Sequence, residues 1–390
     1  MEYTQQQTER KTIMRICLIL LAMAFVAGCS AKSRVEVKQS TKPRLIVTLP
    51  DNANTPDGCT LDASGNIILS MPNFNNDELI KQGIIKEASP AFMAMIDKSN
   101  TFTTWYDFKP QDLHPETKKI GPMDCAFGPD GNLYLADMQL FFDKKHKSRL
   151  LRINVANGKP TSCEVVVEGF ICANGMVWHG DKLYVSETIL MHAPEAAQGQ
   201  PKPKLISGVY RFTLDELKAG GVKLAPYTEG SADPHLVAKY QTSNSTGFGA
   251  DGVACDAEGN LYCGIFEDGI IYKTTFAENG TPSEPVVFAK SPNMLCCDGI
   301  IWRKADNKIY VADMLLNGVQ VVDMSGKVTT LHKNGDTDGA DGSLDQPCEV
   351  LERDNELIVI NMDMPWKSDV LTNTKIDKPF TVSAISLPAK

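Results

Sequence analysis

The chain has only six histidines among its 390 residues, at positions 114, 146, 179, 192, 235 and 332, and no two stand four apart. That excludes a helical two-histidine metal site. No G-x-S-x-G occurs, which excludes the nucleophile elbow of the α/β-hydrolases, although a Ser-His-Asp group assembled by the fold stays open. A basic face is also missing. The net charge is −9, and lysine and arginine are scattered rather than gathered into a stripe, so nucleic acid is not expected as a partner. The longest apolar run, residues 16–28, is too short to span a bilayer. Long amphipathic helices are lacking too. Residues 77–88 (DELIKQGIIKEA) and 214–221 (LDELKAGG) offer a helical turn each.

What is there begins with a targeting segment. Arg15 precedes the run ICLILLAMAFVAG, which ends at Cys29, the layout of a secretory signal. Met14-Arg15 would open a more typical signal than Met1. Val26-Ala27-Gly28-Cys29 resembles a bacterial lipobox, which implies cleavage before Cys29 and a diacylglycerol on its thiol. The expected organisation is a signal peptide over 1–28, a polar tether over 29–42 and one domain over 43–390. The expected location is the bacterial cell envelope (outer membrane or periplasmic side), with a lipid anchor as the only membrane contact and a monomeric domain beyond it. Nine cysteines remain after Cys17 and Cys29. An odd number cannot all pair, and most read as small buried hydrophobes.

The remainder repeats. A small polar anchor, an apolar strand, a Gly or Asn turn and a second strand recur six times. The copies open at Asp57, Asp124, Asn174, Asp251, Asp298 and Glu349, spaced 67, 50, 77, 47 and 51 residues apart. Two further strand-like runs follow each copy, except that the sixth has only PFTVSAISL before the chain stops. The missing strand is available at the other end as RLIVTL (44–49). The pattern predicts an all-β, six-bladed β-propeller closed by an N-terminal strand, a device that removes the exposed edge. The polar stretch 193–206 reads as an insertion in the third unit.

In such a fold the first strand of each blade lines the central channel, so the six anchors converge. Asp-Gly before a strand is also ordinary turn chemistry. Five carboxylates and one amide around one axis, however, call for protons or a cation, and hard oxygen ligands suit Ca²⁺, Mg²⁺ or Mn²⁺. A second feature is the Asp-rich stretch GDTDGADGSLDQPCE (335–349), one residue out of register with an EF-hand loop. It reads as the connection into the sixth anchor, with a second Ca²⁺ as the alternative.

The motifs PDGCTLDASGN, NGMVW with its insertion before GVYRF, GADGVACDAEGNLY and CDGIIWRKADNKIYVADMLLNGVQVVD resemble the regucalcin (senescence marker protein), gluconolactonase and luciferin-regenerating-enzyme family over roughly residues 40–390. The resemblance implies a six-bladed propeller with one axial divalent metal, Ca²⁺ first and Zn²⁺, Mg²⁺ or Mn²⁺ as alternatives. It implies a small-molecule substrate, a sugar lactone or related ester, hydrolysed in the channel. The family's ligands are a Glu from the first blade, an Asn from each of the third and fourth, and an Asp from the fifth that often serves as base or nucleophile. Counted by blade, these roles fall on Asp57, Asn174, Asp251 and Asp298, with Asp298 or Asp251 activating water or attacking directly. The chain departs from that pattern: Asp57 stands for the Glu, Asp251 for the fourth-blade Asn, and Ala173-Asn174-Gly175 for Asn-Asp-Gly. A register that skips a blade would instead match Asn174 and Asp251 to the family's last Asn and Asp.

Further pocket candidates are Asp124, Glu349, Glu187 and Asp313, with Asp137 and Asp363 at equivalent strand ends. Phe74, Phe141, Phe142, Met191 and Trp366 could roof a pocket. The competing reading is a non-catalytic propeller that binds a carbohydrate or protein partner, with the anchors as structural turns; fold alone does not choose.

Overall fold

The computed structural model describes residues 42–194, 202–364 and 370–387. The signal, Cys29, nearly all of the tether and Trp366 lie outside them. The described residues form six antiparallel sheets arranged as a β-propeller. Blade 1 comprises Cys59–Leu61, Ile67–Met71, Phe92–Ile96 and Phe102–Asp107. Blade 2 comprises Pro122–Phe127, Leu133–Asp137, Ser148–Ala156 and Lys159–Phe170, with the short Val222–Lys223 added in parallel at its edge. Blade 3 runs through Ala173–His179, Lys182–Met191, Leu205–Thr213 and Leu236–Thr242. Blade 4 uses Ala250–Cys255, Leu261–Ile265, Ile270–Thr274 and Val286–Lys290. Blade 5 uses Ile300–Arg303, Lys308–Asp313, Gly318–Asp323 and Val328–Lys333.

Blade 6 takes Pro347–Arg353, Glu356–Asn361 and Thr381–Ser386 from the end of the chain. Its fourth strand is Arg44–Thr48, which pairs antiparallel with Thr381–Ser386 in the register Arg44↔Ala384 to Thr48↔Thr381. The ring is therefore closed by the N-terminal strand that the repeat count left over. The helical turns fall at Asn76–Lys81 and Leu214–Ala219, the latter opened by a Thr213/Glu216 capping box.

The second strands are apolar at consecutive positions because both of their faces are covered. Ile67 and Leu69 pack toward blade 6 while Ile68 packs toward blade 2. Tyr134, Tyr184, Tyr262 and Tyr310 do the same work at successive blade interfaces. The hairpin before these strands explains the Gly or Asn turn of the repeat. In blade 4 the Asp256 carboxylate accepts from the Glu258 and Asn260 N–H groups (3.1 and 2.9 Å), from Asn260 Nδ2 (2.7 Å) and from the Tyr262 hydroxyl (3.0 Å). Asp130 and Tyr134 repeat the contact in blade 2, Asp306 and Tyr310 in blade 5.

All nine described cysteines are free thiols, seven of them fully buried. Burial pushes the thiols of Cys59, Cys125, Cys172, Cys296, Cys297 and Cys348 upward, the behaviour of packed apolar groups rather than reactive ones.

Candidate active site and metal centre

The pairing of first and second strands shows which residues occupy equivalent places on the axis. Cys59↔Leu69, Cys125↔Leu135, Met176↔Val185, Val253↔Cys263, Ile300↔Val311 and Val350↔Val359 are corresponding pairs. Two residues earlier stand Asp57, Met123, Asn174, Asp251, Asp298 and Cys348. One residue earlier stand Gly58, Asp124, Gly175, Gly252, Gly299 and Glu349. The six anchors read from the sequence thus form two layers. Four share the first layer; Asp124 and Glu349 belong to the second, where the other blades carry glycine.

Those glycines are steric requirements. A Cβ on Gly58 would overlap the Asp124 Cα. One on Gly175 would lie 2.6 Å from the Asp251 carbonyl oxygen, one on Gly252 would overlap the Asp298 carbonyl oxygen, and one on Gly299 would overlap the Glu349 carboxylate. The first strands approach one another so closely around the axis that each glycine receives the next blade's anchor. The Gly252 N–H also donates to the Asp298 carbonyl across the blade boundary (3.1 Å), and Gly299 N–H to the Cys348 carbonyl (2.7 Å).

Asp57, Asn174, Asp251 and Asp298 line a single cavity of about 30 Å³ on the axis. Its other walls are Phe74, Phe141, Phe248, Phe266 and five methionines, Met123, Met138, Met314, Met362 and Met364. The aromatic rings form a chain, with Phe74 edge-on to Phe141 (4.9 Å), Phe141 near Phe248 (6.4 Å) and Phe248 near Phe266 (6.0 Å). Phe142 touches Phe74 from outside (6.1 Å). Asp124 and Glu349 line a separate cavity of about 270 Å³ in the same channel, walled by the outer halves of the first strands.

The acids at the ends of the second strands have another use. Glu187 accepts from the Cys172 and Ile171 N–H groups (2.6 and 3.2 Å). Asp313 accepts from Leu295, Cys296 and Leu316 N–H and from Gln320 Nε2, all at 3.0–3.2 Å. Asp137 accepts from Gly121 N–H (2.9 Å) and forms a two-pronged ion pair with Arg149. Each acid ties down the backbone that leads into its own blade's axial strand. Glu187 and Asp313 line neither axial cavity.

Electrostatics on the axis is dominated by burial. It pushes the Asp57 carboxyl up to about 8, with Asp124 adding repulsion. Asp124 is pushed up to about 7, held down partly by the Met176 and Cys125 N–H groups. Asp251 and Asp298 are raised well above the carboxylate range by burial first and then by neighbouring acids. Glu187 is raised to about 8 for want of solvent. Groups of this kind bind more protons folded than unfolded between about pH 4 and pH 8, so stability must fall as pH rises through that window. In chelator, the melting temperature is therefore expected to decrease steadily from pH 5 to pH 8.5, and saturating Ca²⁺ is expected to flatten the decline. A flat profile in chelator would show that these carboxyls are not protonated in the fold.

The donor set suits a hard divalent ion: three carboxylates and one amide oxygen, without histidine or thiolate. Asp57 Oδ2 is buried with no hydrogen-bond partner, which leaves it available as a ligand. As they stand, the carboxylates of Asp57, Asp251 and Asp298 do not all lie within 4.8 Å of one another. Among the described residues only Asp345, Asp363 and Asp377 meet that spacing. Gathering the axial oxygens on one ion therefore requires side-chain rotation.

The wall residues Phe248, Phe266, Met138, Met314 and Met362 escaped the sequence reading. The methionines had a signal: Met138 and Met314 directly follow the Ala-Asp that ends the second strand, and Met362 directly follows Asn361 at the same place.

The family model described as SMP-30/Gluconolactonase/LRE-like region matches residues 81–192. No curated protein matches the sequence. Solved structures are similar in fold at low identity. A gluconolactonase from Xanthomonas campestris is 13% identical with a TM-score of 0.51, covering 90% of this chain and 96% of its own. Regucalcin from Agrobacterium tumefaciens, described as calcium-binding, is 13% identical with a TM-score of 0.53, covering 88% and 93%. A Thermus thermophilus protein described as a candidate oxidoreductase (glucose dehydrogenase) is 12% identical with a TM-score of 0.55, covering 89% and 100%. In the sequence of blades 1 to 3 and in the fold of the ring, the chain thus resembles the SMP-30, gluconolactonase and luciferin-regenerating-enzyme proteins.

Proposed function

We propose that the protein is a metal-dependent hydrolase of lactones or related esters, acting at the cavity that Asp57, Asn174, Asp251 and Asp298 line. The observation that carries this reading is that convergence: of thirteen lining residues the four polar ones are all oxygen donors, at equivalent positions in or just before four axial strands. The match to the SMP-30/gluconolactonase/LRE-like model supports the reaction class. Asp57, Asn174, Asp251 and Asp298 would hold a divalent ion, which would supply Lewis acidity for a carbonyl oxygen.

The chain's own residues account for the rest. Asp298 is fixed by its backbone, whose N–H donates to the Ala312 carbonyl (3.1 Å) while its carbonyl accepts from Gly252. Its proton affinity is raised by burial and by Asp251, so it would serve as general base once a bound cation had left it ionised. It takes a proton from water as the water oxygen bonds to the lactone carbonyl carbon. The ring C–O bond then breaks, and the departing alkoxide recovers the proton from Asp298. Asp251, on the neighbouring blade and lining the same cavity, would hold the ion and orient the water.

The walls add a preference within the lactone class. Four phenylalanines and five methionines offer no partner for sugar hydroxyls, whose burial without hydrogen bonds is costly. An alkyl or aryl lactone is expected to show kcat/KM at least tenfold above gluconolactone. The cavity holds about one ion and a water, so substrate entry requires the aromatic roof to part at Phe141, the outermost ring at 41% exposure. A panel of alkyl, aryl and sugar lactones with Ca²⁺, Mg²⁺, Mn²⁺ or Zn²⁺ tests the reading. No metal-stimulated turnover of any member would reject it and favour the binding propeller.

A further inference from the structure

A second acidic group lies on blade 6, outside the axial cavity. Asp345 precedes the first strand, Asp363 follows the second and Asp377 precedes the third. One carboxylate oxygen from each lies within 4.8 Å of the other two. Oxygens around one Ca²⁺ at about 2.4 Å stand at most about 4.8 Å apart, so the spacing fits a common ion. Asp345 and Asp363 are wholly buried.

The hydrogen bonding supports this independently. Asp345 Oδ1 accepts from Asn373 Nδ2 (2.6 Å) and Asp363 Oδ2 from Asp377 N–H (2.9 Å). The opposite oxygens, Asp345 Oδ2 and Asp363 Oδ1, are buried with no partner, as is Asp377 Oδ1. Leaving one such oxygen unsatisfied is costly, and three in one cluster drawn from separate chain segments are costlier still. Neighbouring charge does not relieve them: Asp336 and Asp338 add repulsion, and Lys375, which acts on Asp377, also pairs with Asp336 (3.6 Å). Burial and mutual repulsion push Asp345 up to about 8 and Asp363 to about 9.

We propose that Asp345, Asp363 and Asp377 form a structural Ca²⁺ site, separate from the axial centre, that clips together the three segments meeting at blade 6. Calcium suits it better than Mg²⁺, which demands a tighter octahedron and surrenders its waters reluctantly. The site would fix the flanks of Asp363, where Met362 and Met364 project into the axial cavity, and the start of the strand that pairs with Arg44–Thr48.

The test is a count of bound ⁴⁵Ca²⁺ by equilibrium dialysis on the full chain, on Asp345→Asn/Asp377→Asn and on Asp57→Asn/Asp298→Asn. The blade-6 variant is expected to bind one equivalent less than wild type, and the axial variant to retain the equivalent that the blade-6 variant lacks. Equal binding by wild type and the blade-6 variant would overturn the proposal, whatever the axial variant shows. A measurement on unaltered protein guards against misfolding of the variant. Amide exchange over 336–347 and 371–378 is expected to slow at least tenfold in Ca²⁺ relative to EGTA, also in the axial variant. Exchange unchanged by Ca²⁺ in these segments would equally overturn it.

Discussion

Gly252→Ala is expected to destabilise the protein by about 3 kcal/mol or more, the upper range for a forced overpacking. The added methyl would overlap the Asp298 carbonyl oxygen and lie 2.6 Å from Ile300 N. Both are backbone atoms of the next blade and cannot rotate away. The same methyl would press on the hydrogen bond from Gly252 N–H to the Asp298 carbonyl, so damage to the ring and displacement of the axial carboxylate arrive together. Gly299→Ala meets the end of the Glu349 side chain instead, which can move, and should cost less. Gly131→Ala is the control for backbone strain alone: its φ is +79° with nothing within 4 Å, worth about 1–2 kcal/mol. Urea midpoints should fall in the order Gly131→Ala and Gly299→Ala above Gly252→Ala. Equal midpoints for all three would mean that the first strands can separate and that the close approach is not required.

The second large effect is chemical. Asp298→Asn is expected to lower kcat on a lactone substrate by roughly a thousandfold, the middle of the range for losing a general base. The amide keeps the shape and the oxygen ligand but cannot accept the proton. Stability should move the other way. Asp298 is raised by burial and by Asp251, Asp57 and Glu349, so a neutral group in its place relieves repulsion above neutral pH. In chelator at pH 8.5 the variant should melt at or above the wild-type temperature. Unchanged kcat would remove Asp298 from the mechanism; a strongly lowered melting point would show that its charge is compensated in the fold.

The fold could be read from the sequence because a propeller writes the same hairpin many times. Asp256-x-x-Gly259-Asn260-x-Tyr262 and its relatives are local chemistry, an Asx turn with a tyrosine anchored behind it, and local chemistry survives as a motif. The strand at 44–49 was legible by subtraction, since a ring with an open edge is unfavourable. The axial layers were less legible. Asp124-Cys125 and Glu349-Val350 resemble the other anchors, yet strand pairing sets Met123 and Cys348 level with Asp57 and Asn174. The clue was the glycine. Asp57, Asn174, Asp251 and Asp298 are each followed by one, because the following position abuts the next blade; Asp124 and Glu349 are not, because they occupy that position themselves. The acidic trio on blade 6 was hidden for another reason. Its members come from three loops, 345, 363 and 377, and only Asp345 lies in the stretch whose composition drew notice.

Closure by the first strand also has a cost in time. Arg44 must wait for Ala384, about 340 residues later, which at ribosomal rates of about 10 residues per second is on the order of half a minute. Through that interval blade 6 is incomplete, and blade 1 and whichever blade was made last each present an uncovered apolar face. Such a chain is exposed to aggregation while it is being made and secure only once its last strand is in place. Variants that weaken Thr381–Ser386 should therefore be felt first as lost yield of folded protein, before any change is seen in the protein that does fold.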